Sequence, residues 1–599
     1  MGHHAPGAPK CKGAVKVAGN LAFADSCAIA MPPLVGQNRR MNPRLCCWSF
    51  LFATGLASRL GAADAPPTAI ATYECIGLYW QTSEASECGV QFRREGADAW
   101  RAALPPAYDA RDREFRGSLV GLTPDTPYEI KLRAGDREAT LLVRTRSDRF
   151  PIGETTHLPA GDSTETVTVA KSGTPHAYHL VTVPPGTRAT LDAMNRGVAN
   201  VVVDADYVIV RGIELKNAAQ HGVLIKAGRH DVVVEDCRIA GWGRFAGPVS
   251  FGNVGGDLDS AVYAEKGAGN LTVQRNRIED PRGAASDWEA GHPVGPQGIS
   301  LINSTGGNVI RFNEIVSTED HGFNDGIGGG SNFSLAGSPN RDSDIHGNLI
   351  SNCWDDAIES EGANMNVRIW GNYLNQFYNG IATACVSRGP LYIFRNVWGE
   401  SRRTHRDPIG GSAIKTGERD EFGGGRRFVF HNTVLQPRGV FSAFTSHVNP
   451  NCVTRNNIFD LRGSLATRQE KEPASDYDYD FFSGNERGTA REAHGVRGAV
   501  AFLPSYRLEF YPAPRVSAVR FGKITTKMGG GTSREITDPV VTLSNPVIDA
   551  GVVLPNFNDN FAGTAPDFGA FEAGRPPLEF GRRAYLKWNE GWAPWETVR

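Results

Sequence analysis

Within the seven residues Asp355-Asp356-Ala357-Ile358-Glu359-Ser360-Glu361, four carboxylates surround a single apolar isoleucine. Carboxylates crowded this closely raise one another's pKa unless a cation neutralises them. A hard divalent ion such as Ca2+ accepts six to eight oxygen ligands at about 2.4 Å. Asp355, Asp356 and Glu359, joined by Asp325 from an earlier segment, are the carboxylates that could supply several of those ligands. Further along, Gly411-Ser412-Ala413-Ile414-Lys415-Thr416-Gly417 has the same layout with a positive charge in place of the acid. A lysine beside a bound cation can have a lowered pKa and act as a general base. Paired carboxylates suit a second chemistry, metal-free hydrolysis by acid and base groups about 5 to 10 Å apart. A merely solvated acidic face would do neither.

The elements that must position these residues form a repeat. One half of it reads apolar-x-apolar-x-x-Asn-x-apolar, with Asn276, Asn313, Asn348, Asn372, Asn396, Asn432 and Asn456 in the fixed place. Asn348, Asn372 and Asn396 follow at steps of 24 residues, with longer steps where loops intervene. The other half is a short strand that starts on a polar residue, continues with Gly or Ala and then a β-branched residue: Gln297-Gly298-Ile299, Asp325-Gly326-Ile327, Asp356-Ala357-Ile358, Asn379-Gly380-Ile381 and Ser412-Ala413-Ile414. Strand-length alternation at a solenoid period, with Asn at a constant turn position, predicts an all-β parallel β-helix whose asparagines stack along its axis.

Side chains alternate across a strand, so register decides what points out. With Ile299, Ile327, Ile358, Ile381 and Ile414 in one inward column, Glu359 and Lys415 share the next column, two coils apart and roughly 10 Å distant at about 4.8 Å per coil. That column is expected to be exposed. Asp325 and Asp356 share the strand entrance, with Asp355 beside them. Glu361, one step further, is the acid least expected to meet a metal.

The rest of the chain frames this solenoid. Residues 1–63 read as an upstream segment followed by a secretory signal: Met41-Asn42-Pro43-Arg44, an apolar run from Leu45 to Ala57, and small residues at Gly61-Ala62-Ala63. This implies a secreted or periplasmic protein with no integral membrane segment after signal removal. Residues 68–146 alternate in short runs as a small β-sandwich does. There, Leu122-Thr123-Pro124-Asp125-Thr126-Pro127-Tyr128-Glu129-Ile130 resembles the tyrosine-corner strand of fibronectin type III modules. A linker is expected around 147–164, the β-helix core over 165–460, and irregular coils with a cap over 461–599. Cys75 and Cys88 are candidates for a disulfide. A net charge of -2 excludes a general polyanion binder, and nucleic acid with it. A monomer is expected.

Asp355-Asp356-x-x-Glu359 and the Gly-Ser-Ala-Ile-Lys415-x-Gly strand resemble the Ca2+-binding and lysine strands of polysaccharide lyase family nine pectate lyases. The resemblance implies a right-handed parallel β-helix, Ca2+ held by Asp325, Asp355, Asp356 and Glu359, Lys415 as the base, and an acidic polysaccharide as substrate. Glu359 departs from the family's aspartate. Arg388, Arg402, Arg403, His405, Arg406 and Arg419, on loops flanking the two strands, are candidates for gripping substrate carboxylates. Trp354, Trp370, Tyr373, Tyr378 and Trp398 are candidates for stacking on sugars. A polygalacturonase-like hydrolase, a uronan epimerase and a non-catalytic glycan-binding solenoid remain alternatives.

Overall fold

The computed structural model describes residues 65–83, 87–249, 252–406, 410–419, 421–436, 439–443, 450–461, 474–484, 492–498, 502–503, 538–539, 546–576, 578–582 and 584–585. The expected signal segment lies outside them. Three long sheets dominate, of 13, 10 and 12 strands, and within each every neighbouring pair is parallel and comes from successive coils. This is a parallel β-helix, and the reason lies in the inward columns. Val201, Val223, Val262, Ile299, Ile327, Ile358, Ile381 and Ile414 stand in register down the 10-stranded sheet. All are buried in one continuous core. β-Branched side chains pack well on such a pleated surface, and each coil buries its apolar row only against its neighbours.

At the corner between the 12- and 13-stranded sheets runs the asparagine ladder. Each amide oxygen accepts from the backbone N–H and the side-chain amide of the rung before it, as when Asn372 Oδ1 receives Asn348 N at 3.0 Å and Asn348 Nδ2 at 2.9 Å. Each side-chain amide also donates to a carbonyl of an earlier coil, Asn372 Nδ2 to Ile345 O at 2.9 Å. The residue before each rung takes a positive φ, including Arg275, Phe312, Arg395 and His431, so the ladder holds a corner that L side chains seldom adopt unaided. One rung differs from expectation. After Asn432 the ladder continues through Asn457, not Asn456, and ends on Asp480. Asn456 occupies the positive-φ position before it, at φ 59, and bonds Val552 O.

The coil begins earlier than expected: Ile152–His157 and Gly161–Ser163, in the stretch read as a linker, already pair with Tyr178–Thr182 and Ala189–Asp192. Ahead of it, Thr68–Arg144 form two four-stranded antiparallel sheets around Trp80, Phe92, Phe115 and Ile130. Thr123 N donates to the buried Tyr128 hydroxyl at 2.9 Å, the tyrosine-corner contact. This sandwich is fastened to the coil through buried charge. Arg311 pairs with Glu74 and also with Asp148 at 3.2 Å, and Thr72 bonds Asp344. The expected disulfide is absent: Cys75 and Cys88 are free and buried, one facing the aromatic residues of the coil and the other in the sandwich core. The closing segment runs along the flank of the coil, where Phe557 packs on Tyr392, Phe394 and Phe430, and Phe580 on Tyr373. Those outward aromatics need cover along the side as well as at the end. Among the described residues no helix is long and apolar enough to cross a membrane.

Candidate active site

Polar residues at the entrances of successive middle strands of the 10-stranded sheet stack on one another, and this column builds the site. Gln297 Nε2 donates to Asp325 Oδ2 at 2.7 Å, and Asp356 N donates to Asp325 Oδ1 at 3.0 Å. Asn379 Nδ2 donates to Asp356 Oδ1 at 2.9 Å, and Ser412 Oγ in turn to Asn379 Oδ1 at 3.1 Å. Neutral donors thus flank two aspartates in one register, while Asp355, one residue before the strand, turns its carboxylate into the same space. Oxygens of Asp325, Asp355 and Asp356 lie within 4.8 Å of one another. Gln297 and Asn379 were legible as members of this slot, but not as partners of the acids.

The second column also keeps its expected register: Glu359 pairs with Ala382, and Ala382 with Lys415. It is not exposed, however, since Glu359 and Lys415 retain 8% and 7% of their surface. A loop closes over Glu359, whose Oε2 accepts from Gly329 N at 3.0 Å and Gly330 N at 3.1 Å. Alternation fixes direction from the coil axis, whereas cover is set by loops. Glu359 is therefore tied to backbone amides, and the oxygens that gather belong to the three aspartates. Lys415 Nζ reaches Asp356 Oδ2 at 2.6 Å and Glu361 Oε1 at 3.3 Å. Glu361 also accepts from Ala384 N at 2.9 Å, so the acid least expected at a metal stands beside the candidate base.

Burial, and then the neighbouring carboxylates, push Asp325 and Asp355 well above the usual carboxylate range. Burial also raises Asp356, against the opposing pull of Lys415. Burial by itself would lower the Lys415 ammonium, but Asp356 and Glu361 outweigh it and hold the pKa well above normal. Asp355 Oδ1, Glu361 Oε2 and Asn324 Oδ1 are buried without a hydrogen-bond partner.

Two loops form the wall beside Asp355. His292 Nε2 lies 3.3 Å from Asp355 Oδ2, a contact that no sequence pattern announced. Next to it Trp288 and Tyr378 meet with ring centroids 4.4 Å apart. Tyr378 is the half-buried member of the five proposed sugar-stacking aromatics, whereas Trp354, Trp370, Tyr373 and Trp398 are all buried. The six candidate cations scatter. Arg402 is buried over the Trp354 ring at 3.7 Å, where burial lowers its pKa to about 10. His405 Nδ1 pairs with the buried Asp287 at 2.9 Å, Arg406 with Glu289 at 2.8 Å, and the Arg403 carbonyl accepts from Trp288 N. Arg388 pairs with Asp112 of the sandwich at 2.7 Å, and Arg419 lies over Phe333 at 4.3 Å.

The three-aspartate group fits a divalent cation by its own chemistry. Oxygens within 4.8 Å of one another are bridged by an ion holding each at about 2.4 Å. Buried like charges favour a counter-ion, and Asp355 Oδ1 has a lone pair that no donor among the described residues takes.

No protein-family model matches the sequence, and neither does any curated protein. Solved structures similar to part of the chain include the catalytic unit of a GH87 α-1,3-glucanase from Streptomyces thermodiastaticus, 13% identical over 72% of this chain and 88% of that one, with a TM-score of 0.29. A family 28 exopolygalacturonase from Yersinia enterocolitica is 12% identical over 73% and 88%, with a TM-score of 0.29. A mannuronic acid specific family 6 polysaccharide lyase from human gut microbiota is 12% identical over 58% and 86%, with a TM-score of 0.37.

Proposed function

We propose that this protein is a polysaccharide-active enzyme, a lyase that cleaves a uronic-acid polymer by β-elimination. The observation that carries the reading is Lys415 Nζ, buried and 2.6 Å from Asp356 in the group of three aspartates that fits a divalent cation. Asp325, Asp355 and Asp356 would hold Ca2+, with Glu359 fixing the glycine loop beside them. When bound there, Ca2+ supplies positive charge that offsets the carboxylate field and polarises a substrate carboxylate, acidifying the proton α to it. The carboxylates hold Lys415 protonated; a cation bound among them would offset that charge and free the amine to take the proton as the glycosidic oxygen on the adjacent β-carbon departs. Glu361 and Asp356 keep the lysine side chain aimed at the site and accept hydrogen bonds from its ammonium once it has been protonated. His292, Trp288 and Tyr378 border the space in which the sugar would lie.

A panel of uronic-acid polymers, assayed with Ca2+ and with chelator, tests the reading. Turnover is expected to yield an unsaturated product absorbing in the short-wavelength ultraviolet and to vanish on chelation. Lys415→Ala is expected to lower turnover at least about a thousandfold while polymer binding stays nearly intact. Metal-independent cleavage without an unsaturated product would instead identify a hydrolase working through paired carboxylates, and unchanged turnover in Lys415→Ala would remove that residue from the mechanism.

A further inference from the structure

A cavity of about 560 Å³ opens at the seam between the sandwich and the coil, and its walls carry five arginines against two carboxylates. Arg111 and Arg116 come from the sandwich, and Arg388, Arg419 and Arg426 from turns of the coil, with Asp109 and Glu418 as the acids. Its position follows from the strands of the candidate site. Arg388 lies just beyond Asn379–Ala384, and Glu418 and Arg419 directly follow Ser412–Gly417, the strand of Lys415. Arg419 stands four positions after Lys415, a span of no more than about 14 Å even when fully extended.

Docking of the sandwich accounts for part of this charge. Arg116 is held by Asp109, Asp112 and Glu114 and donates to the Arg388 carbonyl at 3.2 Å. Arg111 pairs with Asp109 at 2.8 Å and reaches across the seam to the carbonyls of Ser387, at 2.7 Å, and Gly423. Arg388 pairs with Asp112. Docking does not account for Arg419 and Arg426. Neither forms an ion pair with a described carboxylate. Arg419 rests on the Phe333 ring, and Arg426 makes one long bond to the Ala474 carbonyl at 3.4 Å while its buried Nε has no partner. Guanidinium donors left open on a cavity wall match the paired oxygens of a carboxylate.

We infer that this cavity is a distal subsite that takes the carboxylate of a uronic-acid residue of the same polymer, with Arg419 and Arg426 as its ligands and the sandwich as its far wall. The inference rests on the uronan-lyase reading and adds to it that the N-terminal sandwich is part of the substrate-binding surface, where a spacer would contribute nothing to binding.

Calorimetric titration of the full chain carrying Lys415→Ala tests it, because the ligand is then not consumed. The ligands are a galacturonate hexamer, a mannuronate hexamer and the carboxyl-reduced, neutral galacturonate hexamer. Adding Arg426→Gln or Arg419→Gln is expected to raise the Kd for the acidic hexamer that binds by about tenfold and to leave the neutral one unchanged. Neither substitution touches the arginines that dock the sandwich, and an unchanged Tm verifies that docking survives. An acidic hexamer bound equally well by the parent and by both variants overturns the subsite and leaves the lyase reading standing. Failure of the parent to bind either acidic hexamer overturns both.

Discussion

Two polar columns cross the same coils of this β-helix, and they treat burial in opposite ways. Along the asparagine ladder, Asn276, Asn313, Asn348, Asn372, Asn396, Asn432 and Asn457 are all fully buried and neutral, and each rung both donates and accepts. Along the strand entrances of the 10-stranded sheet, the middle rungs are the carboxylates Asp325 and Asp356, with Asp355 beside them and Asp355 Oδ1 unpaired. A buried amide that finds its partners adds modestly to stability, whereas a buried charge without them costs several kcal/mol. The ladder is therefore what a coil does for itself. The acidic column is a local departure from it, with neutral Gln297, Asn379 and Ser412 on either side, and the proposed lyase reading gives that departure a use.

The largest test of this contrast is Asp355→Asn. Removing one of three mutually repelling carboxylates is expected to leave the Tm of Ca2+-free protein unchanged or higher, while Ca2+-dependent turnover falls on the order of a thousandfold. Thermal melts and initial rates measure the two. A marked drop in Tm without Ca2+ would make Asp355 a structural residue like the ladder amides. Asn372→Ala probes the other column. It deletes an acceptor for Asn348 N and Asn348 Nδ2 and a donor to Ile345 O and Asn396 Oδ1, leaving buried groups unpaired. The expected loss is about 3 kcal/mol in chemical denaturation, with turnover per folded molecule preserved. A turnover loss larger than the loss of folded protein would show that the ladder couples to the site.

The coil and both columns were readable because they depend on period and alternation. Ile358 and Ile381 in register, Glu359 and Lys415 two coils apart, and the tyrosine-corner bond at Tyr128 all follow from local spacing. The shift of a rung from Asn456 to Asn457 shows the limit of counting: two asparagines stand side by side, and the positive φ of the first decides which one stacks. What long loops bring together was not readable. His292 at Asp355, the loop over Glu359, the arginine pairs of the sandwich and the closing segment along the flank join residues far apart in sequence, and no periodicity relates them.

The smallest effect concerns a third kind of buried polar group, one that titrates yet is satisfied. His221 opens an earlier strand of the same sheet, in the register that leads through Ser260 and Gln297 to the aspartates. Its ring stacks on Tyr263 with centroids 4.3 Å apart, and its Nδ1 accepts from Ser260 N at 3.2 Å. Burial first, and then the charge of Arg244, lower its pKa to about 4. The unfolded chain protonates this histidine near pH 6.5, well before the folded protein does. Its contribution to stability is therefore fully present above that pH and is lost as the pH falls toward 4. The linkage amounts to about 2 kcal/mol at pH 5. His221→Gln preserves an acceptor for Ser260 N and cannot titrate, so its stability is expected to fall less than the parent's between pH 7 and pH 5, by about that amount, in denaturant titrations at the two pH values. Equal slopes in the two proteins would show that His221 is protonated as readily in the fold as in the unfolded chain, and the entrance register would then tolerate charge away from the aspartates as well as among them.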